Sequence, residues 1–139
     1  MAMSLLFMSC CGEVVETEIN VIPHPASVVV YEGDLDVAGA AFKADAALGE
    51  LALDAINGFE AKLVAASTKE SGSSKAQFVF KADKNLAHEE YSIDVCCNKV
   101  VVKASDFNGV LYAIETLKQM LPEQIYTGAV ACCEEWELP

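Results

Sequence analysis

The segment from Asp106 to Pro122 is the strongest helix signal in the chain, and it constrains the fold most. Its main apolar residues recur at spacings of four, three and four, which places them on one helical face. These residues are Val110, Ile114, Leu117 and Leu121. Ser105 or Asp106 can cap the start, and Pro122 ends the helix because a proline pushes the preceding residue out of helical conformation. Since a wide apolar face must be buried, the chain needs a second layer.

Three strand patterns before this helix can supply that layer. They are Ala76 to Ala82, Tyr91 to Cys97 and Val100 to Ala104. Alternation in the first strand places Phe78 and Phe80 on one face. Asn98-Lys99 is a turn signal between the second and third strands, so this pair is predicted to form a hairpin. A further strand is predicted after the helix, at Ala129 to Cys133.

The first half of the chain predicts another hairpin and another helix. Ser27 to Tyr31 and Leu35 to Val37 are strand-like and flank a Glu-Gly-Asp turn. Residues 37–42 carry weak signals and are predicted to be a connector. Helical spacing then runs from Asp45 to Ala66, with Asn57-Gly58 as a candidate break. The apolar stripe of this helix consists of Leu48, Leu51, Ala52, Ala55, Phe59 and Leu63.

The charge balance disfavours two classes of partner. The 139 residues include nine lysines, no arginine and 21 acidic residues, for a formal net charge of −12. Nucleic-acid binding depends on clustered positive charge, so we expect no nucleic-acid partner. The absence of arginine from the sequence also disfavours a bidentate clamp for phosphate or carboxylate groups.

Six cysteines occur as three adjacent pairs, at residues 10–11, 96–97 and 132–133. Zinc sites usually space their ligands as Cys-x-x-Cys, so this pattern predicts no metal site. Adjacent residues of a strand point to opposite faces. One cysteine of each strand pair is therefore expected in the core and the other at the surface or a second layer. A disulfide between the second and third pairs is an open alternative that requires neighbouring strands.

The remaining motifs predict no active site and no cofactor. His24 lies between two prolines, and His88 is followed by two glutamates without the second histidine of a His-Glu-x-x-His zinc motif. Adjacent carboxylates on extended backbone diverge, so Glu89-Glu90 and Glu134-Glu135 do not form a catalytic pair. The sequence also has no glycine-rich phosphate loop and no Gly-x-Ser-x-Gly elbow.

The first eleven residues differ in character from the rest. Ser4 to Cys10 is an apolar run that ends in a small residue followed by cysteine, as in bacterial lipoprotein signals. This pattern predicts a truncated leader and linker over residues 1–18, with lipid attached to Cys10 and a membrane anchor through that lipid. The protein would then be exported, as a periplasmic or outer-membrane lipoprotein. The basic region of a secretory signal is missing, so an apolar N-terminus without this role is the alternative.

Residues 19–139 resemble the N-terminal, non-catalytic domain of bacterial β-N-acetylhexosaminidases, glycoside hydrolase family 20. Five segments carry the resemblance: Val21 to Pro25 ("IIP-x-P"), Glu90 to Val95 ("E-x-Y-x-L-x-V"), Val100 to Ala104, Asn108 to Pro122 and Trp136 to Pro139. The fourth, with Gly109, Tyr112 and Thr116, matches "G-x-x-Y-(G/A)-x-x-T-L-x-Q-L-L" and is the most specific.

The resemblance implies an α/β (α+β) fold, in which a mixed sheet has two helices packed on one face, zincin-like without the zinc motif. It also implies a parent enzyme that removes terminal β-linked N-acetylhexosamine, with its catalytic residues in a barrel domain that is the partner of this one. We expect Gly109 to allow close approach to a strand. Tyr112 and Thr116 are expected to meet a polar partner in the sheet or the barrel, and an exposed Trp136 to contact the barrel.

Other interpretations stay open from the sequence. The same domain type could precede another barrel glycosidase, such as an O-GlcNAc hydrolase or an α-glucuronidase. A free-standing lipoprotein that binds glycan or a protein partner, with Trp136 as a sugar-stacking surface, is a further alternative. A degenerate metalloprotease rests on fold analogy alone, and a fold does not imply a function.

Overall fold

The computed structural model describes residues 13–16, 19–23, 25–31, 33–127 and 136–139. Within them are the helices α1 (Glu50–Ser67), α2 (Phe107–Gln119) and α3 (Gln124–Thr127). The strands are β1 (Val14–Val15), β2 (Val30–Tyr31), β3 (Leu35–Asp36), β4 (Ala41–Ala44), β5 (Gln77–Ala82), β6 (Tyr91–Cys96), β7 (Lys99–Ala104) and β8 (Glu137–Leu138).

The main sheet has four strands in the order β4-β5-β7-β6. β4, β5 and β7 run parallel, and β6 pairs antiparallel with β7, so the sheet is mixed. Phe78 lies beside Val100 and Phe80 beside Val102, and all four side chains are buried. The antiparallel pairing of β6 with β7 confirms the predicted hairpin. The burial of Phe78 and Phe80 beside Val100 and Val102 confirms that the two phenylalanines share a face.

Helices α1 and α2 cover this apolar face of the sheet. Phe59 of α1 packs edge-on against Phe78, with ring centroids 5.5 Å apart. Phe42 of β4 stacks on Phe78 at 4.7 Å, which extends the aromatic cluster to the sheet edge. The predicted α+β fold, a mixed sheet with helices on one face, is therefore confirmed.

The opposite face of the sheet is not covered by these helices, and we call it the open sheet face. Because side chains alternate along a strand, Gln77, Val79 and Lys81 point away from buried Phe78 and Phe80. Four of the nine lysines fall on this face. They are Lys43, Lys81, Lys99 and Lys103.

The start of α2 has the geometry that the sequence predicts. The Asp106 carboxylate caps the helix by accepting from the Gly109 N–H at 2.9 Å. A Cβ on Gly109 would lie 2.7 Å from the Glu90 carbonyl oxygen and 3.1 Å from the Ala104 Cβ. The predicted close approach of Gly109 to a strand is thus confirmed. The helix itself ends at Gln119, and the short α3, which the sequence did not predict, follows Pro122.

Three local predictions are wrong. β3 does not return along β2 as a hairpin but pairs with β8 at the far end of the chain, while β2 pairs with β1. The predicted helix from Asp45 breaks at Gly49, where φ is 93°, and continues unbroken through Gly58. Leu51 is consequently 65% exposed rather than part of the buried stripe. The predicted connector also contains β4.

Candidate functional site

A polar cluster surrounds the start of α2, and it contains the one histidine that the structure describes. One Asp106 carboxylate oxygen accepts from the Gly109 N–H, while the other accepts from the Glu89 N–H at 3.1 Å and contacts His88 Nδ1. Ser105 Oγ donates to the Ala87 carbonyl oxygen at 2.7 Å. We call His88, Glu89, Ser105 and Asp106 the cap cluster.

The contacts of the cap cluster are those of a helix N-cap. The N–H groups of Gly109 and then Glu89 hold the pKa of Asp106 below its ordinary value of 3.8, and His88 adds a smaller effect. His88 Nε2 lies 3.6 Å from a Glu89 carboxylate oxygen, so both ring nitrogens face carboxylates. In the described part of the chain no group of three His, Cys, Asp or Glu residues could hold a metal ion.

The second candidate is a groove between the outer sides of α1 and α2, with a volume of about 150 Å³. Its lining comes equally from the two helices. These residues are Ala55, Gly58, Phe59, Lys62, Leu111, Ile114, Glu115 and Lys118. We call this feature the helix groove. Five of these residues are uncharged, and the other three are Lys62, Glu115 and Lys118.

A buried lysine, Lys118, makes two contacts at the edge of the helix groove. Lys118 is only 9% exposed, and its Nζ donates to a Glu115 carboxylate oxygen at 2.8 Å. The same Nζ lies 5.6 Å from the centre of the Tyr126 ring on α3. Burial raises the pKa of Tyr126, and the Glu115 charge raises it further against the opposing effect of Lys118. These contacts join α2 to α3 beside the groove.

The apolar pattern that predicts α2 does not include Lys118 or Glu115, so the sequence analysis missed this arrangement. Their i,i+3 spacing is the usual spacing of a helical ion pair, which was the available signal. The burial of Lys118 depends on α1 and α3, and no local pattern in α2 reports their position.

Thr116 and Trp136 lie inside the domain, whereas Tyr112 lies at its surface. The buried Thr116 Oγ1 bonds to the Tyr91 hydroxyl of β6 at 2.6 Å, so the expected polar partner in the sheet is present. Trp136 is 4% exposed, and its carbonyl oxygen accepts from the Val37 N–H at 2.7 Å. The expectation of an exposed Trp136 is therefore wrong, because β8 pairs with β3 and carries the indole into the core. Tyr112 is 47% exposed.

The structure also changes the interpretation of one cysteine pair. β6 ends at Cys96, and Cys97 adopts a left-handed φ of 57° instead of continuing the strand. The two Sγ atoms consequently lie 3.6 Å apart, not on opposite faces as extended backbone would place them. At this separation the two sulfur atoms are not bonded to each other.

Several predictions fall outside the described residues. They concern lipidation at Cys10, the position of His24, the strand from Ala129 to Cys133 and the pair Cys132-Cys133. The lipid anchor and the exported location therefore stay predictions. None of the helices in the described segments combines the length and hydropathy needed to cross a bilayer.

Comparisons with known proteins agree with this fold. The family model described as glycosyl hydrolase family 20, domain 2, matches residues 18–135. The structure is similar to that of a family 20 exo-β-N-acetylglucosaminidase from Vibrio harveyi in complex with N-acetylglucosamine, at 23% identity and a TM-score of 0.54. That match covers 73% of this chain and 16% of the Vibrio harveyi chain.

An inactive mutant of the Vibrio harveyi enzyme matches at 25% identity and a TM-score of 0.45, over 64% of this chain and 14% of that one. No curated protein matches the chain. The part that matches covers about a sixth of the length of the Vibrio harveyi enzyme in complex with N-acetylglucosamine.

Proposed function

Because the chain belongs to domain 2 of glycosyl hydrolase family 20, we propose that it is the support domain of a β-N-acetylhexosaminidase, packed against that enzyme's catalytic barrel. The parent enzyme would remove terminal β-linked N-acetylhexosamine from glycans, with all catalytic groups supplied by the barrel. The domain itself contributes a rigid surface and no reacting group.

The observation that carries this proposal is the outer surface of α1, α2 and α3. Tyr112 of α2 and Tyr126 of α3 are 47% and 48% exposed, and Tyr126 lies next to Lys118 of the helix groove. Aromatic side chains of this kind are enriched in protein interfaces, where one end is buried and the hydroxyl keeps a polar partner. About 100 Å² of each tyrosine is left to bury, which corresponds to roughly 2 kcal/mol per ring.

The open sheet face is a poorer candidate for the same partner. Lys81 and Lys103 stand side by side on it, and neither forms an ion pair within the described part of the chain. Burial of these ammonium groups against another domain would require carboxylate partners, since an unpaired buried charge is costly. The helix groove has two lysines, and Lys118 is already paired with Glu115. Docking there therefore leaves one ammonium group, that of Lys62, to satisfy.

Thr116 and Trp136 support the proposed surface from within. The bond between Thr116 and Tyr91 fixes α2 against β6, and Trp136 fixes β8 against β3. Both residues therefore act through the position of the helices. A direct contact of Tyr112, Thr116 or Trp136 with the barrel stays a prediction, and the exposure of Tyr112 favours it most of the three.

Two experiments test the proposal. The chain alone should not hydrolyse a chromogenic N-acetyl-β-glucosaminide, and clear turnover would contradict a purely supporting role. In the enzyme that joins this domain to its barrel, Tyr112→Ser with Tyr126→Ser should lower the unfolding midpoint of the barrel and its activity after heating.

The matched control for the tyrosine variant is Lys81→Ser with Lys103→Ser on the open sheet face. This variant should leave the barrel unchanged and the isolated domain close to its original stability. Within the isolated domain, the tyrosine variant should lose only the contact of Lys118 with Tyr126, about 1 kcal/mol. Equal effects of the two double variants on the joined enzyme would show that the helix surface does not carry the contact.

A further inference from the structure

The helix groove lies within the surface that we expect to meet the barrel, and the present inference rests on that proposed function. Both α1 and α2 line the groove, and the lining side chains of Phe59 and Ile114 are only 2% and 3% exposed. Gly58 contributes no side chain, and a Cβ at this position would meet no atom within 4 Å. The glycine therefore helps to keep an open space between the two helices.

The size and lining of the groove match one large apolar side chain. Its volume is about 150 Å³, and five of its eight lining residues are uncharged. An apolar cavity of about 150 Å³ holds a benzene-sized molecule, which is the size of a phenylalanine ring. A hydrocarbon group in the groove would remove apolar surface of both partners from water, which is the main driving force of association.

The charges of the groove determine what should stand beside that apolar side chain. Glu115 pairs with Lys118 at 2.8 Å, whereas Lys62 forms no ion pair within the described part of the chain. Two lysines and one glutamate give the lining a net charge of +1, in a chain whose formal net charge is −12. Covering the Lys62 ammonium group without a partner would be costly, so the complementary group on the occupant is a carboxylate.

We propose that the helix groove receives one side chain of the barrel, the size of leucine or phenylalanine, and that a neighbouring aspartate or glutamate of the barrel pairs with Lys62. A buried apolar anchor in a pocket is the kind of residue that carries most of the binding energy of an interface. The charge pair at its edge fixes the orientation of the two domains. Tyr112 and Tyr126 then extend the contact around this anchor.

Gly58→Leu tests the groove, because it fills the open space with a side chain of the domain itself. In the isolated chain the urea midpoint should not fall, since leucine favours a helix more than glycine does. In the enzyme that joins the domain to its barrel, the unfolding midpoint of the barrel should fall by about 4 °C or more, as expected for the loss of an interface anchor. The matched control is Asn57→Leu, because this residue follows α1 by about 100° from Gly58 and does not line the groove. The control should leave the barrel midpoint unchanged.

A zero-length cross-link in the joined enzyme tests the charge pair. A carbodiimide joins an amine and a carboxyl group that are in contact as an amide, and the carboxyl oxygen that is lost leaves with the carbodiimide as a urea. Peptide mass mapping should find Lys62 linked to an aspartate or glutamate of the barrel. Lys62→Glu should lower the unfolding midpoint of the barrel, because it places two carboxylates together. Lys43→Glu on the open sheet face is the control and should leave that midpoint unchanged.

These outcomes separate the groove assignment from the proposed support role. If the double tyrosine variant lowers the barrel midpoint while Gly58→Leu and Lys62→Glu do not, the groove assignment is overturned and the support role stands. Equal effects of Gly58→Leu and Asn57→Leu, or cross-links to the barrel that do not include Lys62, would also overturn it. An isolated chain that dimerises until Gly58→Leu is introduced would show that a second copy fills the groove, and the proposal would then be wrong.

Discussion

Replacement of Gly109 by alanine tests the closest contact between α2 and the sheet. Its new Cβ would stand 2.7 Å from the Glu90 carbonyl oxygen and 3.1 Å from the Ala104 Cβ. Neither neighbour can move out of the way by changing a rotamer, since one is backbone and the other has a single side-chain carbon. Alanine gains up to about 1 kcal/mol of helix propensity, while overpacking costs about 1–3 kcal/mol. We expect a net loss of about 1 kcal/mol in the free energy of unfolding.

Gly58→Ala is the matched control, because it makes the same substitution inside α1. A Cβ at this position meets no atom within 4 Å. Only the propensity gain remains, so this variant should be about 1 kcal/mol more stable than the original chain. The two identical substitutions should thus differ by about 2 kcal/mol.

Urea denaturation followed by the fluorescence of Trp136, the one tryptophan of the sequence, measures both variants. Trp136 is buried in the native domain, so its emission reports unfolding directly. A Gly109→Ala domain as stable as the original would refute the reasoning on close approach. A loss of stability in Gly58→Ala would refute the assignment of open space beside that glycine.

Three further predictions concern single interactions. Tyr91→Phe should lower the free energy of unfolding by about 1 kcal/mol, because it removes the hydrogen-bond partner of buried Thr116. A double-mutant cycle with Thr116→Val should show coupling between the two residues, and additive effects would contradict the bond. Asp106 has a lowered folded pKa, so its stabilisation is present above the unfolded pKa and is lost as pH falls through the folded value. The stability advantage over Asp106→Asn, measured by urea titration, should therefore shrink below about pH 4; a constant difference would contradict this assignment. Trp136→Ala should lower the free energy of unfolding by about 3–5 kcal/mol, measured by urea denaturation followed by circular dichroism. A loss below about 1 kcal/mol would contradict the burial of Trp136.

The elements that local patterns encode were predictable from the sequence. The apolar stripe of α2, the alternation of β5 and the turn between β6 and β7 all lie within short segments. Gly109 was also predictable, because a glycine inside an amphipathic helix has few uses other than close packing or flexibility. The family motif added the order of these elements but no side-chain contact.

The features that the sequence did not reveal depend on distant parts of the chain. β3 pairs with β8 across about a hundred residues, and a nearby turn signal gave the competing hairpin prediction. Burial of Lys118 requires α1 and α3 in place beside α2. The approach of the two thiols depends on the positive φ of Cys97. The residue type does not predict this angle, because residues with a Cβ rarely adopt it.

The most direct test of the proposed support role is hydroxyl-radical footprinting of Tyr112 and Tyr126. Their oxidation rates in this chain alone should be compared with the rates in the enzyme that joins the domain to its barrel. The account predicts that both tyrosines are protected in the joined enzyme, while Val79 on the open sheet face keeps its rate. Unchanged oxidation of both tyrosines, or protection of Val79 in their place, would contradict the account.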